Sequence, residues 1–551
     1  MENNIERDIF ELRNFELEEI DEYIVTLKNK EDLESFYDDM ETHGGTECVP
    51  DRCVECAARR TISRNTHYYL NQEEVENLKK DDRVLDIIPK KLKDSIVIVP
   101  LGWTQSSSNW DKTDTVVNTH RNWGLRRCID GTQTSNWGSN GTTSISGSVT
   151  TTSSGKNVDV VIADGFINPD HPEMAKNEDG TGGTRVVQFN WHSLTSYLGF
   201  GSNGTYNYPA TYTNYGDDHG MHVAGTAVGN SQGWARDANV YNLYVYGDGQ
   251  TAGNNPFDYV RAFHLTKAIN PETGLRNPTI MNNSWGASLS LQKSSISSVI
   301  WRGTTYSGSP TNAQLISYGL IYGNATIISI RYWSAADEAD VQDAIDDGVI
   351  IVGAAGNEYT KIDVPGGQDY NNRVVLGSNQ YYYHRGSVFT SAGNAICVGA
   401  VSNLVNESKA DFSNSGPRIT IYSPGESILS SVHNGQATDF RNSNYEIDKY
   451  PGTSMASPQV CGVIACALEQ YPRMTHAEAV EYIQTAAKIN QMTTTSGGYT
   501  DVTDLQGSTN RYLFYKKDRP ETGITQPKDI AKTRPASGQV YPRKPVLHYK
   551  K

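Results

Sequence analysis

The segment Gly452-Thr453-Ser454-Met455-Ala456-Ser457-Pro458 begins a predicted helix of small residues, which continues through Val460-Cys461-Gly462-Val463. A serine in the first turn of a helix lies at the positive end of the helix dipole, which stabilises an alkoxide or a nearby oxyanion. The simpler interpretation is that Ser454 only caps the helix, because serine is a preferred N-cap residue. Taken alone, this segment favours the capping role.

A second helix rich in small residues is predicted to start at Asp218-His219-Gly220-Met221-His222-Val223-Ala224-Gly225-Thr226. His222 lies on the same helix face as His219, three residues later, so a metal-binding pair has to be considered. No third ligand is evident near this pair. A lone histidine in such a place is more often structural, so this segment alone does not assign His219 to a reaction.

Polar residues follow two apolar runs that are typical of buried parallel strands. The run at 160–163 ends in Asp164, and the run from Gly348 to Ala355 ends in Gly356 and Asn357. Ligand sites of open α/β sheets lie at the carboxyl ends of strands, so Asp164 could orient a histidine and Asn357 could donate to an oxyanion. Each could also be an ordinary turn residue.

Strands and helices alternate along this part of the chain, which predicts an α/β domain with a mostly parallel sheet. Within it, Asp164, His219 and Ser454 follow one another in one of the known orders of the acyl-transfer triad. With the segments around these residues, the sequence closely resembles the subtilisin-like (subtilase) serine peptidases from roughly Asn122 to Ile489. The resemblance implies a subtilisin-like three-layer fold and serine endopeptidase activity on polypeptides, with Asn357 as the oxyanion-binding residue.

Further segments carry the resemblance or depart from it. Asn282-Asn283-Ser284-Trp285-Gly286 is similar to the edge segment that binds the substrate backbone as an added strand in the family. This likeness makes Ser284, Trp285, Gly286 and, beside the oxyanion residue, Gly356 candidate substrate-binding residues. Asn122-Trp123-Gly124-Leu125 is similar to the motif just after the mature N-terminus of many members. Two departures are Gly165-Phe166 after the aspartate, where we expect a different turn, and Met221 in place of the usual threonine.

The N-terminal region predicts a small α+β unit with the order β-α-β-α-β and room for a hairpin, which suits a ferredoxin-like module. It resembles the family's inhibitor-type propeptide, which implies a zymogen; the alternative is a permanent docking domain.

From Gln105 to Asn157 the sequence is rich in Ser, Thr, Gly and Trp, which predicts an exposed connector. The predicted organisation is an extension at 1–21, the propeptide-like domain at 22–89, a linker at 90–121, the peptidase domain at 122–510 and a basic extended tail at 511–551.

The rival functional hypothesis is a subtilase fold that serves as a structural or binding component of a larger assembly, with little or no proteolytic activity. Insertions between Gly286 and Ala335 and between Glu358 and Ala392 would provide extra surfaces. The last segment, Arg511 to Lys551, carries eleven Lys and Arg against three Asp and Glu (11 − 3 = +8), so it could bind an assembly partner or another copy. The intact triad argues against a loss of catalysis.

Two weak metal sites are suggested, although the predicted reaction requires no cofactor. His43, Cys48, Cys53 and Cys56 could bind zinc, but no second cysteine pair follows. By the resemblance, Glu173 in His171-Pro172-Glu173 matches a position that can serve as a calcium ligand.

Composition excludes some classes of function. The chain of 551 residues has 48 Lys and Arg against 63 Asp and Glu, a net charge of −15, which argues against a nucleic-acid binder that follows phosphates. Its apolar stretches fall short of about 18 residues, so no membrane span is expected. The polar, acidic first residues form no classical signal peptide, and seven sparse cysteines fit reduced thiols. We therefore expect an intracellular or particle-associated protein.

Overall fold

The computed structural model describes residues 20–42, 48–54, 56–57, 65–90, 103–113, 115–131, 144–198, 204–210, 215–245, 256–387 and 394–515. They divide into two compact units, one within 1–99 and 269–275 and the other within 100–268 and 276–524. No helix in the described ranges combines the length and the apolar character that a membrane crossing requires.

The first unit alternates strands and helices in the predicted order. Its central strand pairs antiparallel with both neighbours, and its second helix begins at a capping box of Asn71 and Glu74. A hairpin that would complete a ferredoxin-like module would fall within 43–64, much of which lies outside the described residues, so that assignment stays a prediction. The elements are β1 (Asp21–Leu27), a 3-10 turn (Lys30–Asp32), α1 (Leu33–Thr42), β2 (Asn65–Leu70), α2 (Gln72–Leu78) and β3 (Val84–Pro89).

The second unit contains the remaining described elements. Its strands are β4 (Trp103–Asp111), β5 (His120–Asn122), β6 (Ile145–Thr151), β7 (Asp159–Asp164), β8 (Val186–Val187), β9 (Asn239–Tyr244), β10 (Thr279–Asn283), β11 (Ser288–Gln292), β12 (Ser298–Trp301), β13 (Thr304–Ser307), β14 (Ile327–Arg331), β15 (Ile350–Ala354), β16 (Arg373–Leu376), β17 (Asn379–Tyr382), β18 (Ile396–Val401), β19 (Ile421–Pro424), β20 (Ile428–Val432), β21 (Ala437–Thr438), β22 (Glu446–Tyr450), β23 (Lys488–Ile489) and β24 (Arg511–Tyr512). Its helices are α3 (Trp123–Asp130), α4 (Tyr215–Val228), α5 (Pro256–Thr266), α6 (Asn312–Ser317), α7 (Ala335–Asp346), α8 (Thr453–Gln470) and α9 (His476–Ala486), with 3-10 turns at Pro172–Met174, Trp191–Leu194, Lys293–Ser295 and Gly498–Thr500.

A mostly parallel sheet forms the centre of this unit, which confirms the predicted α/β class. In the described residues its order is β23-β24-β19-β18-β15-β10-β7-β9-β8, and among its pairs only β23 with β24 is antiparallel. Side chains alternate across the sheet, so Val160 and Ile162 enter one core whereas Val161 and Ala163 enter the other. Helices α3, α4, α8 and α9 cover the first face, and α5 and α7 cover the second. The result is a three-layer arrangement.

The sequence prediction of an exposed connector from Gln105 to Asn157 is wrong where the structure describes this region. Strand β4 pairs parallel with β5 and antiparallel with β6. Trp110 is fully buried, and Lys112 forms a buried ion pair with Glu407, which also binds Arg127. The predicted linker at 90–121 thus contains a strand of the second unit. Serine and threonine dominate β6, and this polar composition hid a strand that buries only part of its surface.

The two predicted insertions join into one small subdomain, here called the insertion subdomain (residues 287–334 and 359–387). Strand β11 pairs with β14, and a separate sheet has the order β13-β12-β16-β17. Because β12 comes from the first insertion and β16 from the second, neither insertion could form this sheet alone. The subdomain has its own core of Leu291, Ile296, Val299, Leu315, Tyr318, Leu320, Ile328, Ile330, Val374 and Tyr383.

The predicted extended tail also begins too early. Strand β24 pairs with β19 and β23 in the main sheet, and Tyr512, Leu513 and Tyr515 are buried in its core. Residues 516–551 lie outside the described residues. The prediction failed at 511–515 because two residues of strand are too short to show a period of alternation.

Candidate active site

The carboxyl ends of three neighbouring parallel strands meet at one edge of the main sheet. Strand β7 ends in Asp164, β10 leads into Ser284, and β15 leads into Gly356 and Asn357. Each strand has both faces covered, which favours apolar residues along its middle and places the functional polar residues near its carboxyl end. This order brings residues distant in sequence to the same edge.

His219 in the first turns of α4 binds the strand-end aspartate directly. Its Nδ1 lies 2.8 Å from Oδ1 of Asp164, which is fully buried and whose Oδ1 also accepts the N–H of Gly165. Burial lowers the pKa of His219, but the charge of Asp164 and its hydrogen bond outweigh that effect, so the pKa of His219 is raised above its usual value. The ring is therefore oriented with Nε2 as the atom left to accept a proton.

The two departures from the family pattern, Gly165-Phe166 and Met221, leave the contact between His219 and Asp164 intact. A Cβ on Gly220 would lie 2.6 Å from the backbone of Gly165, so a glycine is needed where α4 crosses the turn after Asp164. Phe166 stacks on His433, with ring centroids 5.5 Å apart. Met221 is fully buried in the main core rather than facing the site, so a side chain larger than the usual threonine does not displace His219 from Asp164.

Ser454 lies near the start of α8 but does not cap it. The N-cap is Gly452, which makes no side-chain capping bond. The hydroxyl of Ser454 instead donates to the carbonyl oxygen of Ser284 at 3.0 Å, and the hydroxyl of Ser284 donates to the carbonyl oxygen of Ser454 at 2.9 Å. A hydroxyl has one proton, so in this rotamer Ser454 does not donate to His219. A rotation about χ1 would free the proton.

The amide of Asn357 is oriented by the residue before the serine. Its Oδ1 accepts the backbone N–H of Thr453 at 2.9 Å and the Thr453 hydroxyl at 2.8 Å, while the same hydroxyl accepts the N–H of Gly356 at 3.0 Å. A backbone N–H can only donate, so Oδ1 is fixed on that side and Nδ2 points elsewhere. Gly356 has φ of +104°, which a residue with a side chain rarely adopts. Sequence analysis did not single out Thr453, although it stands inside the quoted serine segment.

Residues 155–511 match the model of the subtilase family, Peptidase_S8. The chain belongs to the subtilase family. It is 30% identical over 187 residues to an extracellular protease of Xanthomonas campestris pv. campestris, covering 33% of this chain and 26% of that one. It is 24% identical over 278 residues to fervidolysin of Fervidobacterium pennivorans, covering 48% and 30%. The chain thus spans less than a third of the length of these two relatives.

A solved structure of a cold adapted subtilisin-like serine proteinase is also similar to this subtilase. The alignment covers 74% of this chain and 100% of that one, with 19% sequence identity and a TM-score of 0.42.

The edge segment of this subtilase is held rigidly beside Ser454. The side-chain amide of Asn282 donates to the Ser284 hydroxyl at 2.9 Å, and Ser457 of α8 donates to the other end of that amide at 2.6 Å. Trp285 is half-buried and its ring lies 6.3 Å from that of Phe257. These contacts fix the segment against both α8 and the second core.

Arg331 of the insertion subdomain lies next to the edge segment, and sequence analysis did not detect it. Its Nη1 donates to the carbonyl oxygen of Gly286 and to the hydroxyl of Ser288, both at 3.2 Å, and Nη2 pairs with Glu358. Asn414 also donates to Glu358, at 3.0 Å. No motif marks Arg331, because it belongs to an insertion whose position depends on pairing of β14 with β11.

The residues suggested for metals have other partners. Glu173 is fully buried and accepts from Arg441, from the N–H and hydroxyl of Ser231 and from the N–H of Gln232. Burial opposes its ionisation, but these donors hold the pKa of Glu173 below its usual range. A guanidinium already neutralises this carboxylate, so the donor set does not fit a calcium ion without displacing Arg441.

The suggested zinc residues are only partly described. Cys53 donates its thiol to the carbonyl oxygen of Glu41, and His43 lies outside the described residues. His222 is buried, and burial lowers its pKa to about 3; its Nε2 lies 2.7 Å from the carbonyl oxygen of Ile428. Within the described ranges, no group of three or more His, Cys, Asp or Glu side chains could hold a metal ion.

Proposed function

We propose that this subtilase is a serine endopeptidase that hydrolyses polypeptides through Asp164, His219 and Ser454. The observation that carries the proposal is the 2.8 Å contact between His219 Nδ1 and Asp164 Oδ1. Asn357 and the edge segment, whose Ser284 binds Ser454, lie at the same edge of the sheet. The Xanthomonas relative, which is named as an extracellular protease, supports the same reaction class.

The reaction would begin with rotation of the Ser454 hydroxyl from Ser284 towards Nε2 of His219. Attack of Oγ on the scissile carbonyl carbon forms a C–O bond and a tetrahedral intermediate while Nε2 takes the hydroxyl proton, and the intermediate collapses to the ester when the amine leaves. Asp164 stabilises the imidazolium through the contact that already raises the pKa of His219. The protonated His219 then gives its proton to the leaving amine as the C–N bond breaks, and water hydrolyses the ester by the same route.

The oxyanion of the tetrahedral intermediate would accept two hydrogen bonds. One donor is Nδ2 of Asn357, which is turned away from Thr453 because Oδ1 accepts both donors of that residue. The other is the backbone N–H of Ser454 at the positive end of α8. These donors are fixed before the reaction, so they need not reorganise when the charge develops.

Hydrolysis of an unfolded protein substrate tests this proposal. Wild type is expected to degrade the substrate, Ser454→Ala is expected to be inactive, and the control Ser317→Ala, an exposed serine in α6, is expected to keep full activity. Equal activity of Ser454→Ala and wild type would overturn the assignment. A wild type that hydrolyses nothing would favour a structural or binding role.

We also propose that the first unit is a propeptide removed by cleavage between Lys90 and Trp103. Strand β4 starts at Trp103 and is paired on both sides, and Lys112 is buried against Glu407, so a later cut would remove part of the second unit. N-terminal sequencing of the purified protein tests this. A new terminus in wild type that is absent in Ser454→Ala is expected, whereas an intact chain in active wild type would favour a permanent docking domain.

A further inference from the structure

Two glycines border the space beside the reacting groups. Gly286 ends the edge segment that contains Ser284, and Gly356 directly precedes Asn357. A substrate strand along Ser284–Gly286, with its scissile carbonyl at Asn357, would place the side chain before the scissile bond beside these glycines. The groups that fill the space between them therefore decide which side chain is accepted.

The guanidinium of Arg331 lies beside that space, with Ser387 near Gly286 and with Glu358 and Asn414 near Gly356. A Cβ on Gly286 would lie 3.0 Å from Nη1 of Arg331 and 2.6 Å from Oγ of Ser387. A Cβ on Gly356 would lie 3.3 Å from Nε of Arg331, 2.6 Å from Oε2 of Glu358 and 2.5 Å from Nδ2 of Asn414. The arginine side chain is 17% exposed, so it is largely covered. One positive group thus lies beside both glycines.

The donors of Arg331 are only partly used. Of its five N–H groups, Nη1 serves Gly286 and Ser288, and Nη2 serves Glu358. Nε is buried and has no hydrogen-bond partner within the described residues. Nε lies beside Gly356 and is covered in the free protein, and leaving such a donor unpaired is unfavourable, so an acceptor atom that a substrate brings next to it would be stabilised.

We propose that Arg331 is a specificity-determining residue that selects an acidic side chain, aspartate or glutamate, immediately before the scissile bond. The inference rests on the proposed peptidase function. The edge of the guanidinium formed by Nε and Nη2 presents two N–H groups in the geometry that a carboxylate accepts. Glu358 keeps its hydrogen bond from Asn414 when it shares Arg331 with the substrate.

Other side chains fit this space less well. A lysine or arginine would bring a second positive charge against Arg331. A large apolar side chain would bury the ion pair of Arg331 and Glu358 without giving Nε an acceptor. Glutamine offers Nε one oxygen but not a charge, so we expect it to rank below glutamate.

The test uses a peptide series that differs only at the residue before the scissile bond: Glu, Asp, Gln, Leu and Lys. A hydrogen bond to a charged group is worth about tenfold or more, so wild type should cleave the Glu peptide at least roughly tenfold better than the Gln or Leu peptide, by kcat/KM. Arg331→Met should remove this preference, and Arg331→Lys should retain part of it. Glu358→Gln should strengthen it, because a competing carboxylate is lost. Arg373→Met, another arginine of the insertion subdomain that bonds Gln380, should leave the ranking unchanged.

Two kinds of failure are distinguishable. A wild type that prefers Leu or Lys, or an Arg331→Met enzyme with an unchanged preference for Glu, would overturn the role of Arg331 and leave the peptidase proposal standing. If Arg331→Met does not fold, the wild-type ranking and Arg331→Lys still decide. A wild type that cleaves no peptide and does not react with a fluorophosphonate would overturn both proposals.

Discussion

The sheet edge with Asp164, Ser284 and Asn357 differs from the insertion subdomain in how sequence fixes structure. At the edge, each functional residue ends or closely follows a short buried strand, and the strands are neighbours in one parallel sheet. In the insertion subdomain, β12 and β16 come from separate insertions and must meet before a core exists. Local patterns therefore reveal the edge, whereas Arg331 is placed by long-range pairing. The comparison suggests that the sheet edge holds the reacting groups, whereas the insertion subdomain selects the substrate side chain.

Removal of the Asp164 charge should give the largest effect. Asp164→Asn is expected to lower kcat roughly ten-thousandfold, because the imidazolium loses its stabilising partner. The base must be neutral, so wild-type activity should fall as pH decreases through the raised pKa of His219. Without the aspartate, burial dominates and the pKa of His219 falls, so the acid limb of the pH profile should move to lower pH. An acid limb that stays in place or moves to higher pH would contradict this account of the edge.

Loss of the Asn357 amide should have the next largest effect. Asn357→Ala is expected to lower kcat about a hundredfold to a thousandfold with little change in KM, because the donor acts on the transition state. Circular dichroism provides the control for folding. A variant with normal kcat would mean that Nδ2 does not bind the oxyanion.

Matched leucine substitutions separate the two regions by stability. Leu315→Ala in the insertion core and Leu468→Ala in the main core each remove a buried side chain, at a cost of about 2–5 kcal/mol. Leu468→Ala should lower the midpoint of global thermal unfolding. Leu315→Ala should increase hydrogen exchange within 287–334 and 359–387 and weaken the preference for Glu peptides, with reactivity of Ser454 retained. Equal loss of Ser454 reactivity in both variants would show that the insertion subdomain cannot be destabilised without also disrupting the active site.

Helix caps give the smallest expected difference. Thr311 caps α6 in the insertion subdomain and Thr475 caps α9 against the main core, each in a capping box. Replacement of either threonine by alanine should cost about 1 kcal/mol. We expect Thr475→Ala to lower global stability and Thr311→Ala to affect only exchange within the subdomain. A global effect of Thr311→Ala would mean that the two regions unfold together.

Most of the fold class could be predicted because buried strands and capped helices leave short-range signals. The runs before Asp164 and Gly356 form strands, and the segment from Gly452 begins a helix, as the sequence predicted. Strand β6 was missed because its serines and threonines mimic a loop, and β24 was missed because it is short. The family assignment is confirmed by the match over 155–511, whereas the roles of the site residues stay predictions.

Two features of the site could not be derived from sequence. Thr453 orients Asn357 through its backbone N–H and its hydroxyl, and such a contact shows only when strand end and helix start are brought together. Arg331 reaches the cleft because β14 pairs with β11, and no local pattern encodes that pairing. Both cases show that a sequence motif identifies reacting groups more readily than the residues that hold or surround them.

The most direct test of the central claim is to label the purified protein with a fluorophosphonate and locate the modified residue by tandem mass spectrometry. We expect a single phosphonylated residue, Ser454, and no labelling of Ser454→Ala. The label should form more slowly as pH falls through the pKa of His219, because a protonated imidazole cannot accept the hydroxyl proton. Modification at another residue, or no modification of the wild type in its processed form, would contradict the account.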